Sequence, residues 1–115
     1  MQLSFEDINA VRVITIGESR IDAAIAISFK DNMRELTDTG PDRVVLDMTT
    51  VDFIDSSGLG AVVAAMKQVD AIKKLELACL SPTVAKVFRL TRMDTVFTIH
   101  ANMQAALGGG LANAS

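Results

Sequence analysis

The chain has 115 residues, half of them hydrophobic but only 4% aromatic, with no Trp or Tyr and a net charge of −3; its pI is about 5.0. That length builds one domain around a single core, and a core with so few rings must rest on Ile, Val, Leu, Met and Ala, as in small α/β layer folds. An acidic chain without a basic stripe argues against direct nucleic-acid binding, and the shortage of aromatic rings argues equally against capture of single strands by stacking.

The start, Met1-Gln-Leu-Ser-Phe-Glu-Asp7, has neither the basic opening nor the apolar stretch of an export signal, and no segment reaches the ~18 unbroken apolar residues of a membrane span. A cytoplasmic chain without membrane insertion is expected. Leu3 and Phe5 alternate with polar residues, and Val11, Val13 and Thr15 alternate with Arg12, Ile14 and Ile16. Two strands joined through Asp7-Ile8-Asn9-Ala10 are predicted, the second apolar on both faces. After Gly17, Asp22 is placed to cap a helix with Ile25, Ser28, Phe29, Met33 and Leu36 on one stripe, ending before Thr39-Gly40-Pro41. Arg43-Val-Val-Leu-Asp-Met48 then reads as a strand buried between layers.

Phe53 and Ile54 close an extended run, Asp55-Ser56-Ser57 is rich in helix-capping types, and Leu59, Val62, Val63, Met66, Val69 and Ile72 repeat at helical spacing. A helix therefore begins at or just before Gly58, and Lys73-Lys74 complements its C-terminal end. Leu75 to Leu80 is the next strand, with Cys79 expected to be buried within it; a lone cysteine forms no intrachain disulfide and gives no metal-site spacing. Ser81 caps and Pro82 opens a third helix with Val84, Val87, Phe88 and Thr91 inward. Val96 to Ile99 is the last strand, and Asn102 caps a short helix containing Met103, Ala106 and Leu107. The domain spans residues 1–108 and a flexible tail 109–115. The expected architecture is α/β, a mixed sheet of four to five strands with helices packed mainly on one face, burying Phe29, Leu46, Val62, Met66 and Cys79.

The stretch from Val51 to Gly60 is the part that asks for a function. The first turn of a helix leaves backbone N–H groups without partners and carries partial positive charge, so a small oxygen-bearing side chain or an anion is favoured there. One serine suffices as a cap. A second hydroxyl, with glycines beside it, leaves an approachable Ser Oγ at a strand-to-helix turn. Two readings stand side by side: both serines cap the helix and the glycines serve packing, or Ser56 is a regulatory phosphoacceptor. An enzyme is poorly supported, since Ser56 lies in no G-x-S-x-G elbow, His100 is the only histidine, and Gly58-x-Gly60 lacks the rest of a nucleotide-binding loop. No catalytic residue, metal site or cofactor is expected.

The run Asp55-Ser56-Ser57-Gly58-Leu59-Gly60 resembles the phosphorylation loop of bacterial anti-sigma factor antagonists, the STAS-domain family. Gly17-Glu18 with Ile21-Asp22-Ala23, Ser81-Pro82-x-Val84 with Phe88, and Val96-Phe97-x-Ile99 are similar to further family segments in the same order, so that the resemblance covers residues 3 to 107. It implies one sheet covered by helices and a partner-switching cycle. The unmodified antagonist would bind an anti-sigma factor that is also a serine kinase, phosphorylation of Ser56 would release it, and a PP2C-type phosphatase would restore the hydroxyl. Asp22, Asp55, Ser57, Gly58 and Leu59 would share the partner-binding face. Ser19-Arg20 departs from the family pattern as an insertion beside that loop, where Arg20 could pair with a phosphate or an acidic partner. The alternative is a STAS interaction subunit of a transport or sensory complex without a phosphoswitch.

Overall fold

The computed structural model describes residues 2–70 and 73–114, with backbone alone for Asp70 and residues 109–114. Strands β1 (Leu3–Ile8) and β2 (Val11–Ile16) form the antiparallel hairpin, closed by Asn9 and Ala10 at φ 52° and 62°. Two left-handed residues in a two-residue loop match the twist of the flanking strands, and here they do so without glycine. β3 (Arg20–Ile21) follows, then α1 (Ala26–Thr37), β4 (Arg43–Asp47), β5 (Phe53–Ile54), α2 (Ser56–Asp70), β6 (Lys74–Ala78), α3 (Pro82–Leu90), β7 (Ile99–His100) and α4 (Met103–Ala114). The main sheet runs β1-β2-β4-β6-β7, antiparallel at its first pair and parallel thereafter, while β3 and β5 form a separate parallel pair.

Residues alternate across the central strands, so one face of the sheet meets three helices and the other meets one. Ile14, Ile16, Val44, Leu46, Leu75 and Leu77 pack with Phe29, Met33, Val62, Met66, Val84 and Phe88 of α1, α2 and α3. On the opposite face Val11, Val13, Val45 and Ala78 lie with Ala106 of α4. The mixed sheet and the one-sided helical layer are those expected. Phe29, Leu46, Val62 and Met66 are buried; Ile72 of the predicted stripe lies outside the described residues. The side chains of residues 109–114 and all of Ser115 also lie outside them; the backbone of 109–114, expected as a tail, belongs to α4.

Several local expectations are corrected. β6 ends at Ala78, and Cys79 sits past it at φ 64°, half-buried rather than inside a strand. The chain must swing there from the strand's end to Ser81, whose Oγ accepts from the Val84 amide at 3.3 Å and caps α3 as expected. Thr91 is exposed at the end of that helix, its hydroxyl turned back on the Val87 carbonyl. The last strand is two residues long and starts at Ile99, because Val96 faces solvent and Phe97 turns inward, edge-on to Phe88 at 5.7 Å between ring centres. The Lys73 ammonium reaches not the end of α2 but the carbonyls of Thr39 and Gly40 beyond α1, at 2.7 and 3.2 Å. Asn102 does cap α4, accepting from Ala105 N at 2.7 Å.

Two buried charges tie the layers together. Arg12 binds both oxygens of Asp7 at 2.8 Å and donates to the carbonyls of Leu36 and Thr39 at 3.0 and 3.2 Å, closing the C-terminal end of α1. Gly40, at φ 91°, must be glycine for this, since a Cβ there would stand 2.5 Å from the guanidinium carbon. Beneath α4, the Glu76 carboxylate accepts from Arg43 Nε and Nη2 at 2.6 and 2.8 Å and lies 2.5 Å from His100 Nε2, while Arg43 also donates to the Ala106 carbonyl at 2.6 Å. Burial pushes the Glu76 carboxyl up, but hydrogen bonds from Arg43 and His100 outweigh it and hold the group below its usual range.

Candidate functional site

The turn from β5 into α2 is assembled from three separated segments. The Ser19 carbonyl accepts from the amides of Asp52 and Phe53 at 2.8 and 3.2 Å, and the Ile21 carbonyl accepts from Asp55 N at 3.3 Å. Ser19 and Arg20 are therefore part of the scaffold that fixes this turn. Arg20 pairs with Phe53 and Ile21 with Ile54, which places both isoleucines in the core and leaves Phe53 at the surface, 37% exposed.

Helix α2 begins at Ser56, two residues before Gly58, and the residue that caps it is Asp55. Its Oδ1 accepts from Gly58 N at 2.8 Å, and its backbone carbonyl accepts from Leu59 N at 2.8 Å. Its Oδ2 accepts from Ala23 N at 3.3 Å, tying the helix start to the turn after β3. Neither serine caps the helix. Ser56 and Ser57 occupy the first two helical positions, both exposed, and among the described residues neither their hydroxyls nor their amides have a hydrogen-bond partner within the protein.

The two glycines differ in kind. Gly58 is buried, and a Cβ there would stand 2.6 Å from the Ile21 carbonyl carbon and closer still to its oxygen. Gly60 is exposed with nothing within 4 Å of its notional Cβ, so only Gly58 is required by a close approach. Leu59 is partly buried against the core.

Asp22 does not cap α1, whose first flanking residue is Ile25 with no side-chain cap. Asp22 instead holds the preceding turn: Oδ1 accepts from Ala24 N at 3.1 Å, and its carbonyl accepts from Ile25 N at 3.1 Å. Because the Asp55 carboxylate bonds the next residue, Ala23, the two acidic groups face the same turn. Beside Asp22 stands a cation. Arg20 Nε lies 3.4 Å from Asp22 Oδ2, and its guanidinium carbon is 4.3 Å from the centre of the Phe53 ring. The sequence signal for it was the expectation that Ser19-Arg20 lies beside this loop. Chemically, the turn offers two uncommitted hydroxyls beside two free helix-terminal amides, next to carboxylates that already have their partners. Among the described residues no cluster of His, Cys, Asp or Glu could hold a metal ion.

A family model described as the STAS domain matches residues 2–106. BtrV of Bordetella bronchiseptica, named a candidate anti-sigma factor antagonist, is 28% identical over 107 residues, 92% of this chain and 91% of its own. The crystal structure of an anti-sigma factor antagonist from Mycobacterium paratuberculosis superposes with a TM-score of 0.82 at 21% identity, covering 94% of this chain and 92% of that one. The Bacillus protein SpoIIAA has been solved unphosphorylated and phosphorylated. Those forms match with TM-scores of 0.75 and 0.66 at 21% and 20% identity, covering 96% and 92% of this chain and 97% and 96% of theirs.

Proposed function

Since the chain belongs to the STAS domain family, we propose that it is an anti-sigma factor antagonist switched by phosphorylation of Ser56, binding an anti-sigma factor kinase when unmodified and released from it when modified. The observation that carries this reading is the division of labour at the start of α2. Asp55 supplies the side-chain cap, on Gly58 N, so Ser56 is not needed for it and is exposed with its hydroxyl free to react. That a structural neighbour, SpoIIAA, is described in both unphosphorylated and phosphorylated forms supports the same reading.

In the forward step Ser56 Oγ attacks the γ-phosphorus of ATP held by the partner. The new O–P bond forms as the bond to the β,γ-bridging oxygen breaks, ADP leaves, and the hydroxyl proton passes to a base on the kinase. A PP2C-type phosphatase reverses the state by hydrolysis, water supplying the oxygen of the inorganic phosphate released. The product carries about −1.5 to −2 charges at pH 7, which the free amides of Ser56 and Ser57 accommodate. The fold survives.

Binding does not, because a partner closing on this turn must strip water from a dianion beside Asp55 and Asp22. A penalty of ~4 kcal/mol from repulsion and unpaired burial weakens binding about a thousandfold, which is enough to exchange partners and so to alter sigma-factor-dependent transcription. No described helix is long and apolar enough to cross a membrane. The test is incubation with the cognate kinase and ATP followed by mass spectrometry of the tryptic peptides. Phosphate on Ser56 with loss of kinase binding supports the reading; phosphate on Ser57, or a modified form that binds as tightly as the unmodified one, refutes it.

A further inference from the structure

Resting on that phosphoswitch, we infer that Arg20 is the chain's own counter-ion for phosphorylated Ser56, and that modification draws it away from Asp22 and Phe53. The argument starts from which groups at the turn are committed. Asp55 spends one carboxylate oxygen on Gly58 N and the other on Ala23 N, and Asp22 spends one on Ala24 N. Arg20 is the loosest member. Its contact to Asp22 Oδ2 is long at 3.4 Å, its side chain is 59% exposed, and the rest of its hold is the stack on an exposed ring.

It is also the one basic side chain that, among the described residues, contacts this turn. The strand pairing fixes where it stands: Arg20 lies opposite Phe53, three residues before Ser56, on the outer face of a pair whose inner residues are Ile21 and Ile54. A phosphate on Ser56 would bring nearly two charges to a turn that already holds two carboxylates, of which only Asp22 contacts Arg20. A guanidinium matches phosphate with two parallel hydrogen bonds, whereas its present contact to Asp22 is single. The dianion therefore outcompetes Asp22 for Arg20. Asp22 is left without its cation and the Phe53 ring without its cover, so one modification rewrites three neighbouring surface residues. Partner release then reflects this wider change as well as the phosphate itself.

Phosphoserine installed at position 56 by amber suppression separates this inference from the question of whether a kinase modifies Ser56. The second ionisation of the phosphate, followed by 31P NMR titration without any partner, should fall lower in the otherwise wild-type chain than in Arg20→Gln, by about half a pH unit or more. Arg20→Lys should recover part of the difference. Independently of any variant, the Arg20 Nε–H resonance should move between the unmodified and phosphorylated wild-type proteins. Equal titrations in wild type and Arg20→Gln, or an Arg20 resonance that stays in place, would overturn the inference. Failure of every kinase to modify Ser56 would instead count against the function proposed above.

Discussion

Replacing Gly58 by Ala puts the assembly of the site under direct test. The added methyl would stand 2.6 Å from the Ile21 carbonyl carbon and closer still to its oxygen, so the start of α2 and strand β3 must separate by more than about 1 Å to reach ordinary contact near ~3.5 Å. The obstacle is backbone, and that carbonyl also accepts from Asp55 N, so no side-chain rotation relieves it. Overpacking of this kind costs about 1–3 kcal/mol. Weakening one or two of the hydrogen bonds that link Asp55 to Ile21 and Ala23 adds ~0.5–1.5 kcal/mol each, and removing a glycine from a helix returns at most ~1 kcal/mol. The net is a loss of about 2–3 kcal/mol, equivalent to roughly 10 °C in Tm for a domain of this size.

Gly60→Ala is the matched control. It lies two residues along, on the open side of the helix, and should gain about 0.5–1 kcal/mol. Urea unfolding of the three proteins, followed by far-ultraviolet circular dichroism, should show Gly58→Ala shifted to lower denaturant and Gly60→Ala to higher, with similar slopes. A Gly58→Ala protein as stable as wild type would refute the close approach of α2 to β3 and the geometry built on it.

Ser56→Ala should change stability by no more than about 0.5 kcal/mol, because Asp55 is the cap; thermal melts check this, and mass spectrometry after kinase treatment should show phosphorylation abolished while kinase binding persists. Ser56→Asp should weaken kinase binding less than phosphorylation does, since it brings one charge instead of nearly two, and calorimetric titration of the three forms orders them. Glu76, held below its usual value near 4.5, contributes stability that is complete above that pH and lost as pH falls through its lowered folded value. Glu76→Gln should flatten that acid limb while costing about 2 kcal/mol at pH 7, a low figure for a buried pair because Arg43 is a third exposed; urea melts between pH 3 and pH 7, taken as a range of about four units, measure both.

Much of the scaffold was legible because its signals are periodic. The apolar stripes of α1 and α2, the short runs of β4 and β6, and the Ser81-Pro82 start of α3 each repeat or punctuate as isolated elements do. β3 and β5 were not, since two-residue strands are too short to show a period and exist only through pairing with each other. The start of α2 was placed within two residues and its cap misassigned for a related reason. Asp55, Ser56 and Ser57 are all good capping residues, and which of them caps depends on where the helix starts. That start is set by the fit of Gly58 against Ile21, more than thirty residues back in the chain. Asp22 illustrates the same limit: its side chain does bond a nearby amide, but that of a turn rather than of the helix beyond it. Cys79 failed because alternation says which way a strand residue points and nothing about where the strand stops.

The assignment of the cap to Asp55 reaches beyond the turn itself. Cells degrade proteins in proportion to how often they open, and a residue that served both as helix cap and as phosphoacceptor would couple its chemical state to the protein's lifetime. With the cap on Asp55, the proposed modification at Ser56 would leave the capping bonds in place. Modification would then leave the modified pool no more open to proteases than the unmodified one. The ratio of the two could be reset by enzymes without altering the total amount of protein, so that the signal is carried by composition and not by abundance.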